Sequence, residues 1–385
     1  AKENIAWRTP LKGLGTSTPI VYGDRIFLTS QLGDGPFEQR GRDFEDAAVA
    51  KKTGESGPVQ FAVQAFSRQD GRPLWEHKFA AEGHVHPVHL KHNLASPSCV
   101  TDGEIVIAWF GTGQLVALTL EGKPLWKRHL GQEIAPFDIL WGHGSSPMIH
   151  NGKVMLLVDH APAAYLLAVD SRTGREVWKV NRGKQRRSYS TPFVVRANGR
   201  DQLVVNSDER MDVYDPANGE LLWFVGEHIR VPIAMPVFHN GVIYSSRGYQ
   251  SGPYFAVKPG GSGDVGKSHL AWEVKAGAPY VSSLLYYRGL LYMANERGVV
   301  SCVDAADGKT LWRERFGGVF SASPVGAGGR VYLVNEQGET FVLAAGRDLK
   351  ILERNKLDER ILASPAISGG RIYMRSDNHL LAIGK

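Results

Sequence analysis

The chain has 385 residues, including 44 glycines, 20 prolines, nine tryptophans and two cysteines, and carries a formal net charge of +6. That glycine and proline content suits a turn-rich β protein. No run approaches the ~18 apolar residues of a membrane-spanning helix. The basic residues are spread along the chain without aromatic interleaving, so the sequence offers no nucleic-acid footprint.

Trp7, in NIAWRTP, reads as a strand with no partner before it. Ser17-Thr18-Pro19 and the β-rich run GDRIFLTS open a first unit, which closes with Ala65 to Trp75, AFSRQDGRPLW. The same grammar then recurs. Ser96-Pro97 and DGEIVIAWF lead to ALTLEGKPLW, ending at Trp126; Ser146-Pro147 and NGKVMLLVD lead to AVDSRTGREVW, ending at Trp178. Thr191-Pro192 leads to VYDPANGELLW and Met235-Pro236 to a copy running from Ala256 to Trp272, with PGGSGDVGKSH spliced in. Ser282-Ser283 leads to CVDAADGKTLW, Ser323-Pro324 to VLAAGRDLKIL with Leu352 in the tryptophan position, and Ser364-Pro365 to LLAIGK.

Alternating apolar and β-branched residues between Gly, Asn and Asp turns are half-buried strands. Each unit therefore reads as four strands: a at the small-residue marker, b after the next turn, c ending in the aspartate, d carrying the tryptophan. Eight units of roughly 40–50 residues predict an all-β, eight-bladed propeller of four-stranded antiparallel blades. The strand around Trp7 completes the last blade, beside Leu380 to Ile383. Length alone suggests two or three domains; the repeat instead predicts one domain over residues 1–385, with residues 31–59 as an inserted rim loop. The tryptophans are expected to pack blade on blade. Asp170, Asp215 and Asp304 are expected to bond turn backbone rather than do catalysis. Cys99 and Cys302 fall four blades apart, whereas a disulfide needs Cα atoms within about 7 Å, so two free thiols are expected.

The pattern A-x-D-x-x-T-G-x-x-x-W resembles the tryptophan-docking motif of the pyrroloquinoline quinone (PQQ) repeat superfamily. The segments ASPSCVTDGE, WGHGSSP and FSASPVGAGGRVYLVNEQG resemble its bacterial PQQ-binding-like propellers. That superfamily includes quinoprotein dehydrogenases and the cofactor-free propeller lipoprotein of the bacterial outer-membrane assembly machinery. The adjacent cysteine pair of the dehydrogenases is missing here, and Asn295-Glu296 and Asn335-Glu336 repeat in neighbouring units, which favours a structural role. The resemblance implies a periplasmic or secreted protein, taken as a monomer with no bound cofactor; PQQ with calcium is the alternative.

In a repeat protein, function sits where the repeat is broken. Three breaks fall on one rim of the first three blades: Gln31 to Val59, HKFAAEGHVHPVHLKHN from His77 to Asn93, and RHLGQEIAPFDILWGHG from Arg128 to Gly144. The first is charged and glycine-rich and is expected to be mobile, with little apolar area to offset its ordering entropy. Histidines concentrate in the other two. Short His-rich tracts can bind metal, and His84, His86 and His160 are the candidate ligands, although no H-E-x-x-H or Cys/His spacing of a known site occurs. The alternative is a solvated, hydrogen-bonded loop. His92, Asn93, His143, Arg187, Arg230 and Tyr280 occupy comparable places before strand a, with Phe320 continuing the series. Such a set suits a small anionic or sugar-like ligand at the channel mouth. The expected function is a binding or scaffolding module for a protein or such a ligand. The alternatives are a PQQ-dependent oxidoreductase and a metal-assisted lyase or hydrolase built on the His loops.

Overall fold

The computed structural model describes residues 4–41, 52–184, 186–226, 231–249 and 251–384. It is an eight-bladed β-propeller of antiparallel sheets, and the only helix among the described residues is one turn, Leu130–Glu133. The blades group into two compact units, one spanning Lys2–Gln185 with Ala366–Lys385 and the other Arg186–Pro365.

The first unit holds blades 8, 1, 2 and 3. Ile5–Pro10 pairs antiparallel with His379–Ile383, so the N-terminal strand is the outer strand of the eighth blade. The core lies between blades rather than within them. Phe27, Phe61 and Val63 of blade 1 pack with Val106, Ala108 and Phe110 of blade 2, and Ile107 and Trp109 pack with Leu156 and Leu167 of blade 3.

The repeated tryptophan has a double task. Trp7 donates its indole N–H to the Arg68 carbonyl at 3.2 Å, Trp75 to Leu120 at 2.8 Å, and Trp126 to Ser171 at 3.0 Å. Each acceptor belongs to the c–d turn of the following blade. Each ring also lies flat on that turn's glycine: a Cβ on Gly174 would stand 2.7 Å from the Trp126 ring, and Gly174 has φ +70°. Glycine is required there twice over, by close approach and by a left-handed backbone. The aspartate two residues after the motif alanine organises the same turn. Asp170 Oδ1 accepts from the Arg172 and Thr173 amides and the Thr173 hydroxyl, at 2.8–3.1 Å, which lowers its pKa.

The small-residue marker forms a second belt. Thr18 donates its amide to Ser98 Oγ at 2.9 Å, and Ser98 donates its own to Ser146 Oγ at 3.0 Å. Where blade 8 meets blade 1, Arg375 is buried and spans the seam, donating to Ser17 Oγ (2.7 Å), the Thr29 carbonyl (2.6 Å) and Ser30 Oγ (3.0 Å). Burial pushes its guanidinium down to about 10, with Asp377 and Cys99 acting the other way.

The second unit holds blades 4 to 7 and repeats both devices. The serine belt runs from Met235 to Ser283, Ser323 and Ser364, each amide donating to the next hydroxyl at 2.9–3.0 Å. Trp272 donates to the Ala305 carbonyl at 3.0 Å. Departures follow the sequence. Trp312 faces the AAGRDLK turn, which closes from the Ala344 amide to the Lys350 carbonyl and is one residue longer than the Asp304–Lys309 turn of blade 6; its indole nitrogen has no partner, while the Tyr292 hydroxyl takes over by accepting from the Gly346 amide at 2.9 Å. Phe320, counted above with the polar series, is core of this unit, packed on Phe341. The spliced segment in blade 5 places Gly263–Asp264 parallel to Leu221–Val225, giving blade 4 a fifth strand that covers its edge. Asp215 and Asp304 bond turn amides of Ala217 and Ala306, and Asn295 and Asn335 accept from b–c turn amides. These are the structural roles read from the repeat.

Cys99 and Cys302 are buried free thiols, and burial pushes both up to about 12. A thiol-specific disulfide reagent at pH 8 should leave both untouched in the native protein and titrate two on unfolding, because the thiolate is the nucleophile. Rapid native labelling would contradict the burial. Gly174→Ala forces a strained left-handed alanine against the Trp126 ring. It should lower stability by roughly 2–4 kcal/mol in denaturant titration, whereas a neutral effect would remove the docking argument.

Candidate functional site

The three rim irregularities are bound together in the first unit. Gln39–Arg40 pairs parallel with Val88–His89, with the Val88 amide donating to Glu38 at 3.0 Å and the Leu90 amide to Arg40 at 3.0 Å. Gln39 reaches the His92 carbonyl at 2.7 Å. The His89 amide donates to Trp141 at 3.1 Å, and their rings meet edge to face at 5.4 Å. Asp138 bridges to Ala161, so the b–c turn of blade 3 joins the same weave.

The long loop does bury apolar area. Val59 is buried, Phe37 packs on the blade 1–2 core, and Asp34 Oδ1 accepts from the Thr53 hydroxyl at 2.6 Å. The expected lack of apolar anchoring therefore does not hold for residues 31–41 and 52–59, because two hydrophobic residues near its ends anchor it. Residues 42–51 lie outside the described residues.

Beneath this weave lies a histidine cluster. His143 is 1% exposed and His86 and His160 2% each; His92 is half-buried with both ring nitrogens covered. The WGHG segment builds the cover. Gly142 lies so close over His92 that a Cβ would be 2.8 Å from Nδ1, and its φ of +92° permits the turn. His143 then points into an aromatic cage, 4.1 Å from Trp109 and 5.1 Å from Phe137, ring centre to ring centre. Phe137 also contacts His160 at 4.7 Å, and His143 and His160 lie 5.8 Å apart.

Burial disfavours the imidazolium form at all four, and repulsion from neighbouring imidazoles adds to it at His86, His92 and His143. His86 is lowered to about 4 and His92 to about 3, while His143 is held well below its ordinary value and His160 is lowered. All four are therefore neutral at pH 7. The His160 Nδ1 lies 3.2 Å from the Ala161 carbonyl, so Nδ1 carries the proton and Nε2 is a bare acceptor. Neither ring nitrogen of His86 or His92 has a hydrogen-bond partner, nor does Nε2 of His143 or His160. Buried polar atoms are normally paired, so this concentration of unpaired nitrogen marks a place built for something else to fill.

Next to His160, Asp159 and Arg182 form a fully buried bidentate pair at 2.8 and 3.0 Å. Sequence reading missed it, along with Trp109 and Phe137. The one available signal was VDHAP, an aspartate placed beside the histidine where strand b ends.

Of the six residues expected at one mouth, His92 and His143 come together under the weave. Asn93 is buried and structural, its Oδ1 accepting from the Ala95 amide at 2.9 Å, because it closes the turn entering strand a. His84 is exposed, its ring 5.9 Å from that of His86. Arg187 and Tyr280 belong to the other unit, Arg187 exposed and Tyr280 edge-on to Tyr249 at 5.2 Å. Arg230 lies outside the described residues. Arg186, beside Arg187 in sequence, pairs with Asp212 and Glu209, each at 2.8 Å. Among the described residues no three His, Cys, Asp or Glu side chains are arranged to hold an ion as they lie, and Cys99 and Cys302 are buried free thiols.

Asp159→Asn leaves Arg182 buried without its counter-charge. The expected loss is about 3–5 kcal/mol of stability by chemical denaturation, well above the effect of removing an exposed partner such as Glu38. Equal, small effects would show that water compensates Arg182.

Comparison with known proteins agrees with this architecture. The profile of a family described as outer membrane protein assembly factor BamB matches residues 59–252, 264–351 and 296–385. Among curated proteins, a tetrathionate hydrolase of Acidithiobacillus ferrooxidans is 25% identical over 351 residues, covering 86% of this chain and 65% of that protein, so the chain spans just under two thirds of its length. Among solved structures, BamB from Moraxella catarrhalis superposes with TM-score 0.65 at 13% identity, covering 98% of both chains. Sqt1 of Saccharomyces cerevisiae gives 0.65 at 10% identity, covering 99% of both; likenesses at this identity bear on the fold alone. With its blades, docked tryptophans and profile match in agreement, the chain belongs to the BamB-like family of PQQ-repeat β-propellers.

Proposed function

We propose that the chain is an extracytoplasmic protein-binding scaffold whose recognition surface is the woven rim of its first three blades. The observation that carries this reading is the weave itself. Loops that break the repeat are hydrogen-bonded to one another, and they present Leu140, 60% exposed, beside the half-exposed Trp141. A rigid rim with an exposed apolar tip suits a protein partner, since little ordering entropy is lost on docking. A small anionic ligand has less support there. Two of the rim cations are already paired, Arg40 with Glu38 at 2.9 Å and Arg128 with Glu133 at 2.5 Å. Family membership supports the extracytoplasmic setting.

A second reading is hydrolysis of a small substrate at the histidine cluster, favoured by the resemblance to a tetrathionate hydrolase over 86% of the chain. The two readings part experimentally. A photocrosslinking residue at position 140 should trap one discrete partner in the native host, and the same residue at position 352, on the outer strand of blade 7, should not. Indiscriminate or absent adducts at position 140 would refute the scaffold reading. Turnover of tetrathionate by the purified protein, lost in His143→Ala, would replace it with the second.

A further inference from the structure

We propose that the histidine cluster under the rim is a transition-metal site, with His143 and His160 as its fixed ligands and His86 and His92 as the side chains that close on the ion. This concerns the cluster beneath the weave and does not depend on whether the rim above it binds protein.

Four observations lead there. The imidazoles come from separate segments, at residues 86, 92, 143 and 160; His143 and His160 are walled by Phe137 and Trp109, and His86 and His92 lie near enough to act on them electrostatically. Three are at least 98% buried. Their Nε2 atoms have no hydrogen-bond donor, although burying such an acceptor unpaired is unfavourable. Finally, the Ala161 carbonyl fixes the tautomer of His160 so that Nε2 is the free lone pair, the arrangement a backbone carbonyl imposes on metal-binding histidines.

The spacing fits as well. With metal–nitrogen bonds of ~2.0–2.1 Å, two imidazoles on one tetrahedral ion place their ring centres roughly 5–6 Å apart. His143 and His160 stand at 5.8 Å. As the side chains lie, no three ligands converge among the described residues. The third must therefore move. His86 and His92 are the two with no well-formed hydrogen bond at either ring nitrogen, only weak contacts to the His84 and Asn93 backbone, so turning either one costs little. An all-imidazole donor set suits zinc or copper rather than calcium or magnesium, which take oxygen ligands. This revises the ligand set expected from sequence: exposed His84 drops out, His86 and His160 stay, and His92 and His143 enter.

The test uses the full chain, stripped with chelator and titrated with Zn²⁺ or Cu²⁺ alone. One tight equivalent is expected. His143→Ala and His160→Ala should each weaken it by at least about 100-fold, and His84→Ala should leave it unchanged. Should either variant fail to fold, pulsed electron paramagnetic resonance on the Cu²⁺-loaded wild-type protein counts the coordinating imidazoles directly. Two or more support the site. No bound equivalent, fewer than two imidazoles, or loss of binding in His84→Ala would overturn it and leave a water-filled polar chamber.

Discussion

Everything in this fold depends on one indole lying flat on the glycine of the next blade's turn. The contact combines a large apolar ring, one hydrogen bond from its nitrogen and a backbone shape that only glycine adopts without strain. Hydrogen bonds along each blade make a sheet, but its inner strands are apolar on both faces, as Val106 and Ala108 on one side and Ile107 and Trp109 on the other show, so neighbouring blades must cover it. Stability comes from the wedge between blades, which is where the cores lie. The tryptophan fixes the outer end of that wedge, and the serine belt fixes the inner end. With both ends tied, the apolar layers between them have one register.

That rigid frame explains how the rim can carry a cluster of buried, unpaired polar groups. Neutral imidazoles packed against Phe137 and Trp109 are an unfavourable core by ordinary standards. They persist because the loops covering them are pinned to three successive blades, and because the buried Asp159–Arg182 pair ties strand b of blade 3 to its strand d directly below. Sites that violate local rules of satisfaction are where function is expected in an otherwise consistent fold.

The blades were legible in the sequence because their physics is local and repeated. A turn that needs Gly174 and Asp170 announces itself within a few residues, and seven further copies fix the period. Which loops meet was legible too, since their places in the repeat put them on one rim. Which side chains meet was not. Asn93 and His92 are adjacent in sequence, yet one closes a turn and the other lies under Gly142, a difference set by a loop about 50 residues away. The Asp159–Arg182 pair was invisible because nothing in either strand's pattern says that two opposite charges will share one buried position. The spliced segment of blade 5 likewise gave no sign that it would run parallel to a strand of the blade before it, because two glycine-flanked residues carry no periodicity.

The docking contact also gives the ring a direction. Blades 8, 1, 2 and 5 each contribute a ring forward to the following blade's turn, so the two faces of such a blade are not interchangeable. A blade copied by duplication fits only where a donor precedes it and an acceptor follows, whereas an inverted or truncated copy fits nowhere. Growth of such a chain is therefore grammatical, by whole units in one orientation. Drift is tolerated where a neighbouring side chain can take over the lost bond, as where blade 6 meets blade 7. There Trp312 is retained but the turn it faces has changed, and Tyr292 holds that turn instead.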